Sequence, residues 1–229
     1  SARTGAGGVM GLSVDIKLAV EGFALEVAHD FEMEGITALF GASAAGKSML
    51  LRVIAGLECN ANGRISFAGK EWQGQGGFVP PAKRGVGYVF QDARLFPHLD
   101  VAGNLRFAAK RSGSTEVDAV VKTLDLHPLL TRRVTALSGG ERQRVAIGRT
   151  LLSAPRLLLM DEPMAALDHN RKTRLLPYIA RLPEAFGLPV IYVTHSVEEV
   201  TRLADRMVVL AGGKVLAAGG VAATLARLD

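Results

Sequence analysis

The segment Gly41-Ala42-Ser43-Ala44-Ala45-Gly46-Lys47-Ser48 constrains this chain more than any other. It fits the pattern G-x-x-x-x-G-K-[ST]. An apolar run, Gly35-Ile-Thr-Ala-Leu-Phe40, precedes it, and a stretch of helical periodicity from Ser48 to Leu57, closed by Gly56, follows. Strand, glycine-bearing loop and helix in that order bring backbone N–H groups and the positive end of a helix dipole onto one small volume. A nucleotide phosphate chain needs such converging donors. The expectation is an ATP site lined by residues 41–48 and Met49. Lys47 would set a point charge against the β- and γ-phosphates, and Ser48 would offer its hydroxyl to Mg2+.

Two further segments carry chemistry. Leu157-Leu-Leu-Met-Asp161-Glu162-Pro163 is an apolar run ending in two carboxylates. On a buried parallel strand such a pair emerges at the carboxyl end, beside the phosphate loop. Asp161 is expected to hold Mg2+ and Glu162 to orient and polarise a water for attack on the γ-phosphorus. By itself the segment also reads as a turn with solvated acids. Leu137-Ser138-Gly139-Gly140-Glu141-Arg142-Gln143-Arg144 has the spacing of a capping box, Ser138 to Glu141, so a helix starts there. Its two glycines expose N–H groups and make a second anion site on the same chain. The local alternative is a well-capped helix with no ligand.

The surrounding sequence alternates strand and helix, which argues for a largely parallel sheet. Val14–Ala19 and Ala24–Ala28 read as short antiparallel strands, Asn62-Gly63 as a turn before a strand at Arg64–Ala68, and Gly74–Pro81 as a loop. Val190-Ile-Tyr-Val193 is a second strand buried on both faces, and Arg206–Leu210 with Lys214–Ala218 a final hairpin. The single cysteine, Cys59, excludes an intrachain disulfide and a cysteine zinc site, and is expected to be a buried small side chain. The longest uncharged run, Ala185–Val197, falls short of the about 20 residues that a membrane span needs. The first residues, SARTGAGG, show no secretory signal, and residues 1–10 are read as a flexible tip. Net charge is +5, concentrated between Ala82 and Arg156, where 13 basic residues face 6 acidic ones. Aromatics at 6% argue against stacking on bases, so no nucleic-acid partner is expected.

Taken together, these segments resemble the ATP-binding-cassette ATPases of membrane transporters over about residues 12–225, with Leu137-Ser-Gly-Gly-Glu-Arg-Gln-Arg144 similar to their signature sequence. The resemblance implies an α/β fold. A P-loop NTPase core with a mostly parallel sheet would carry an N-terminal antiparallel β subdomain and an α-helical subdomain inserted at about residues 92–153. It implies a homodimer in which ATP lies between the phosphate loop of one subunit and Ser138, Gly139, Gly140, Glu141 and Gln143 of the other. Gln91, in Tyr88-Val-Phe-Gln91, resembles the glutamine that reaches the metal, which would be held by Ser48, Gln91 and Asp161. Asp168, in Ala165-Ala-Leu-Asp168, resembles the residue that couples the two sites, and His195 the histidine at the γ-phosphate. The implied catalytic set is Glu162, His195, Lys47 and Gln91. The implied partners are two integral-membrane permease subunits and a separate external solute-binding protein. The subunit itself would sit peripherally on the cytoplasmic face of the inner membrane.

Three positions depart from that family. Ala44 stands where the phosphate loop usually has glycine, and Ala165 where serine is common. No aromatic is well placed to stack on adenine, Phe23 being the nearest. A narrower resemblance, in Gly87-Tyr-Val-Phe-Gln-Asp-Ala-Arg-Leu-Phe-Pro-His98 and Gly103-Asn104-Leu105, is to the ATPase subunits of bacterial molybdate importers. It implies import of molybdate or tungstate, with sulfate, phosphate, iron or sugar as alternatives. Those subunits commonly carry a C-terminal oxyanion-binding domain, which a chain ending at Asp229 is expected to lack. Leu95-Phe96-Pro97-His98 is read as an exposed contact for the membrane subunit, or alternatively as lobe packing. A soluble cassette ATPase without transport, or a phosphate-loop kinase, is the more distant reading.

Overall fold

The computed structural model describes residues 11–20 and 22–228; the expected tip at residues 1–10 lies outside them. In chain order the first half holds β1 (Gly11–Val20), β2 (Phe23–Glu32), β3 (Ile36–Phe40), α1 (Lys47–Ala55), β4 (Asn62–Phe67), β5 (Lys70–Gly74), β6 (Gly77–Phe78), α2 (Pro81–Arg84) and β7 (Val86–Val89). Three helices follow, α3 (Val101–Ser112), α4 (Val117–Thr123) and α5 (Gly139–Leu151). The chain then runs through β8 (Leu157–Asp161), α6 (His169–Ala180), α7 (Leu182–Phe186), β9 (Val190–Thr194), α8 (Val197–Leu203), β10 (Arg206–Ala211), β11 (Lys214–Gly220) and α9 (Val221–Leu225).

The strands form two sheets. One is antiparallel, in the order β2-β1-β4-β5-β6, and the other runs β11-β10-β3-β9-β8-β7 and is parallel except at β10–β11. The apolar runs explain the second sheet. Leu157 and Leu159 of β8 pack into the core shared with the antiparallel sheet, whereas Leu158 and Met160 pack into the core under the α3–α5 helices. Ile191 and Val193 of β9 divide from Val190 and Tyr192 in the same way. A strand alternates its side chains between faces, so one covered on both must be apolar throughout. The helices between β7 and β8 close one face, and the antiparallel sheet with α1 closes the other.

Three sequence expectations change. Asn62-Gly63 is not a turn: both residues lie in β4, where Gly63 pairs with Ile16. Its φ is +118°, and a Cβ there would lie 2.1 Å from Asp15 O, so the glycine serves strand approach rather than reversal. Gly74–Pro81 is not a plain loop, because Gly74 and Gly77 close the β5–β6 hairpin and Pro81 opens α2. Cys59 is exposed, in the connection between α1 and β4, and not a core residue. Trp72 is fully in the core, its ring 5.1 Å from that of Phe67.

Arg84 ties α1 to the β5–β6 hairpin and the segment that follows it. It is 2% exposed, and its guanidinium donates to Val79 O (2.8 Å), Val53 O (3.0 Å) and Ile54 O (2.7 Å), the last two at the carboxyl end of α1. It also lies over the rings of Phe78 (4.8 Å) and Trp72 (5.7 Å). Burial lowers its pKa to about 10, still far above neutrality, so the cation persists. Arg84→Met would strip donors from buried helix-end carbonyls and should cost about 2–3 kcal/mol in urea unfolding. Arg84→Lys should recover only part of this, because an ammonium cannot reproduce the fork. An unchanged unfolding midpoint for Arg84→Met would remove this role.

Candidate active site

The phosphate loop leaves β3 at Gly41 under tight steric control. Gly41 has φ +158°, and a Cβ there would come within 2.2 Å of Leu210 O on β10. Gly46, at φ +98°, starts α1, and its Cβ would meet the Phe23 ring at 2.9 Å. Ala44 adopts φ +64°, the left-handed conformation that glycine takes freely; for an L-residue this costs about 1–2 kcal/mol. The β10–β11 turn braces the loop, with Gly213 N donating to Ala45 O at 3.2 Å. Lys47 is 4% exposed, and its ammonium donates to Gly41 O (2.9 Å) and Ala42 O (2.8 Å), which fixes it across the loop.

Parallel pairing brings the other predicted residues alongside. Ser48 Oγ donates to Asp161 Oδ1 at 2.6 Å, and Tyr88 OH donates to Asp161 Oδ2 at 2.9 Å. Burial first, then the Asp161 carboxylate, raises the Tyr88 phenol well above its ordinary range, so it remains a donor. Glu162 follows at φ +43°, a strained position for a non-glycine residue. Its Oε1 lies 3.7 Å from Lys47 Nζ and its Oε2 lies 3.4 Å from His195 Nδ1. Lys47, Asp161, Glu162 and His195 thus come from three separate parts of the chain into one cluster. Ser48 Oγ and Asp161 Oδ1 are two hard oxygen donors in one place, which suits Mg2+ with phosphate oxygens and water completing its shell.

The remaining candidates lie apart from that cluster. Ser138 caps α5, accepting from Glu141 N at 3.4 Å, while Glu141 accepts from Ser138 N at 2.7 Å, so the predicted capping box forms. The bond from Ser138 N lowers the Glu141 pKa. Gly139 packs so closely on Leu167 that a Cβ would sit 2.8 Å from it, whereas Gly140 faces open space. Asp168 caps α6 by accepting from Arg171 N at 3.0 Å. Gln143 is 3% exposed and turned to Phe90 O at 3.4 Å. It ties α5 to the segment leading to Gln91 and is not presented with Ser138 and Gly140. Gln91 is exposed, and among the described residues no hydrogen bond joins its side chain to the cluster. A cavity of about 390 Å3 touches Phe23, Ser43, Lys47 and Glu162, and another of about 490 Å3 touches Ser138, Gly140, Arg144 and Arg174. They share no residue, so the Lys47 face and the Ser138 face are separate on the chain.

Sequence reasoning missed three features. Phe23, judged poorly placed, lies against Gly46, because the β1–β2 hairpin returns the chain over the loop. Tyr88 stood inside a quoted motif with no role. Phe96 is not a free anchor: it is half buried, edge-on to Phe107 at 4.7 Å, and its N–H and C=O are both bonded to the buried side chain of Asn104. Phe107, 50% exposed, is the outward aromatic there.

Comparison with known proteins gives the family. The ABC transporter family model matches residues 25–165. The chain is 54% identical over 211 residues to the molybdenum import ATP-binding protein ModC of Methylococcus capsulatus, covering 91% of this chain and 59% of that protein. It is 53% identical over 212 residues to the ModC of Thiobacillus denitrificans, covering 91% and 59%. The chain therefore spans about three fifths of the length of these curated relatives. Among solved structures, CbiO1 of Clostridium perfringens, described as part of the ABC transporter complex CbiONQ, superposes with a TM-score of 0.83. Its identity is 25%, covering 96% of this chain and 92% of that one. With its phosphate loop, paired carboxylates and capped glycine helix on one α/β core, the chain belongs to the ABC transporter family.

Proposed function

We propose that this chain is the ATP-hydrolysing subunit of an ABC importer, and that its solute is molybdate or tungstate. The observation that carries the hydrolytic reading is the placement of Lys47 Nζ and His195 Nδ1 within 3.7 Å of opposite oxygens of Glu162. Lys47 binds the β- and γ-phosphates, and the loop N–H groups hold the rest of the phosphate chain. Ser48 and Asp161 would hold Mg2+, which when bound would supply positive charge against the phosphates. Glu162 accepts hydrogen bonds from a water and aims it at the γ-phosphorus. Lys47 and His195 stabilise the charge that develops on the γ-phosphate oxygens. Phe23, whose ring lies against Gly46, would be the aromatic nearest to the adenine. The relatives' names support the solute, and the Gln91–His98 segment resembles importers of that class. A kinase reading has no use for the separate anion face at Ser138 and Gly140.

Glu162→Gln should retain ATP and lower turnover by about 10²–10⁴-fold, read as phosphate release beside nucleotide binding. Near-normal turnover would remove Glu162 from the mechanism.

Two copies facing head to tail would complete each site, with Ser138 and Gly140 of one subunit against the ATP on Lys47 of the other. Specific activity should then rise with protein concentration. A mixture of Lys47→Ala and Ser138→Arg chains should regain one composite site per mixed dimer. Flat specific activity on dilution, with no recovery on mixing, would point to a self-contained monomeric site.

The membrane partner is proposed to meet a cavity of about 470 Å3 bordered by Phe96, Phe107, Arg111 and Arg149. Among the described residues no helix is long and apolar enough to cross a membrane, so attachment at the cytoplasmic face would run through separate permease subunits. Phe107→Ala should leave the isolated chain's ATPase within about threefold while weakening co-purification with the permease, since such interfaces concentrate their energy in a few aromatics. Undiminished co-purification would move the contact elsewhere. An external binding protein would supply the solute.

A further inference from the structure

Glu199 carries a carboxylate into the interior and has no part in the reaction outlined above. It is 5% exposed, near the start of α8, and its two oxygens are divided between two elements. Oε1 accepts from Lys172 Nζ of α6 at 2.9 Å. Oε2 accepts from Tyr192 OH at 2.9 Å and from Thr194 Oγ1 at 2.7 Å, both on β9. Burial, reinforced by this carboxylate, raises the Tyr192 phenol well above its ordinary range and keeps it a donor. A buried carboxylate persists only where its lone pairs are satisfied in this way.

The bonds continue around His195. Thr194 Oγ1 accepts from Ser196 N at 3.0 Å, and Ser196 Oγ accepts from Glu199 N at 3.3 Å. The residues on both sides of His195 are therefore fastened to Glu199. At the other end, Lys172 lies in the first turns of the helix that Asp168 caps. We propose that Glu199 is a positioning residue: it holds His195 facing Glu162 and, through Lys172, ties that orientation to the helix that begins at Asp168. This rests on the ATPase reading of the site. When a second subunit meets the Asp168 turn, a displacement of α6 reaches His195 through the buried Glu199 carboxylate, beside the exposed His169–Glu198 pair at the start of the same helix.

Glu199→Gln separates the two ends. Its amide oxygen can still accept from Thr194 and Tyr192, but its NH2 then faces the Lys172 ammonium, donor against donor. The test compares Glu199→Gln, Lys172→Met and the double variant in the full chain. It reads kcat, half-saturating ATP and the imidazole NMR resonances of His195, assigned with His195→Gln. Each single variant should lower kcat by about 10- to 100-fold. Half-saturation should stay within about twofold, and the double variant should lose no more than the worse single one. Each should also shift the His195 resonance. Thr194→Val should repeat the effect and Thr194→Ser reverse it, which decides the matter if the Glu199 variants fail to fold. Losses that multiply in the double variant, or a His195 resonance unmoved in folded protein, would overturn the proposal. The resonance is read without turnover. Absence of hydrolysis by the unsubstituted chain would therefore sink the ATPase reading while this test still decides the role of Glu199.

Discussion

Parallel main-chain pairing sets Phe40 opposite Thr194 and Asp161 opposite Val193, and so holds the carboxyl ends of β3, β9 and β8 level. Gly41, Glu162 and His195 are the next residues to leave those strands, and they leave on the same side. Their proximity is thus a property of register. It needs no contact among the three until the sheet has formed. A slip of one position would send β8 side chains to the wrong faces and carry Asp161 away from Ser48. What prevents the slip is the pair of dry cores, one claiming Leu157 and Leu159, the other Leu158 and Met160.

Two of the non-glycine residues with positive φ sit where that register ends. Ala44 and Glu162 both take positive φ, and neither is glycine. Each is overruled by its surroundings. Ala44 is held between Gly41, which only a glycine can seat beside Leu210 O, and the start of α1. Glu162 is held by the ammonium and imidazole at its two oxygens. Strain kept in place by such contacts fixes a carboxylate at one angle before any ligand arrives, which lowers the reorganisation that chemistry requires.

The motifs were legible because each reports a local backbone event: a glycine loop before a helix, an acid at a strand end, a capping box at Ser138. The parallel sheet was legible because strands covered on both faces must be apolar throughout. What escaped depends on contacts between distant segments. Gly63 beside Asn62 has the local chemistry of a turn, yet it was spent on letting β4 approach β1. Phe23 lies far from Gly46 in sequence and against it in space. Gln143 belongs to the signature segment by position, but the helical period turns it inward to Phe90 O. Cys59 has the size of a core residue and no neighbours to bury it, because it falls in the connection after α1. The tethers on Asp161 and Glu199 carry no sequence signal, since tyrosine, threonine and lysine at those spacings are unremarkable without the fold.

The parallel sheet stops at β7, a strand of four residues that pairs with β8 alone. Its outer edge, at Gly85–Tyr88, borders the cavity shared with Phe96 and Phe107. An open edge next to the exposed Phe107 is a template onto which another strand can add, and so a starting point for misassembly. Two features blunt it: the strand is too short to nucleate a stable ladder, and Arg111 and Arg149 stand over the gap as like charges between copies. The same edge leads into Gln91. If the proposed permease contact covers this face, a chain parted from it bares a four-residue sheet edge that runs directly toward Gln91.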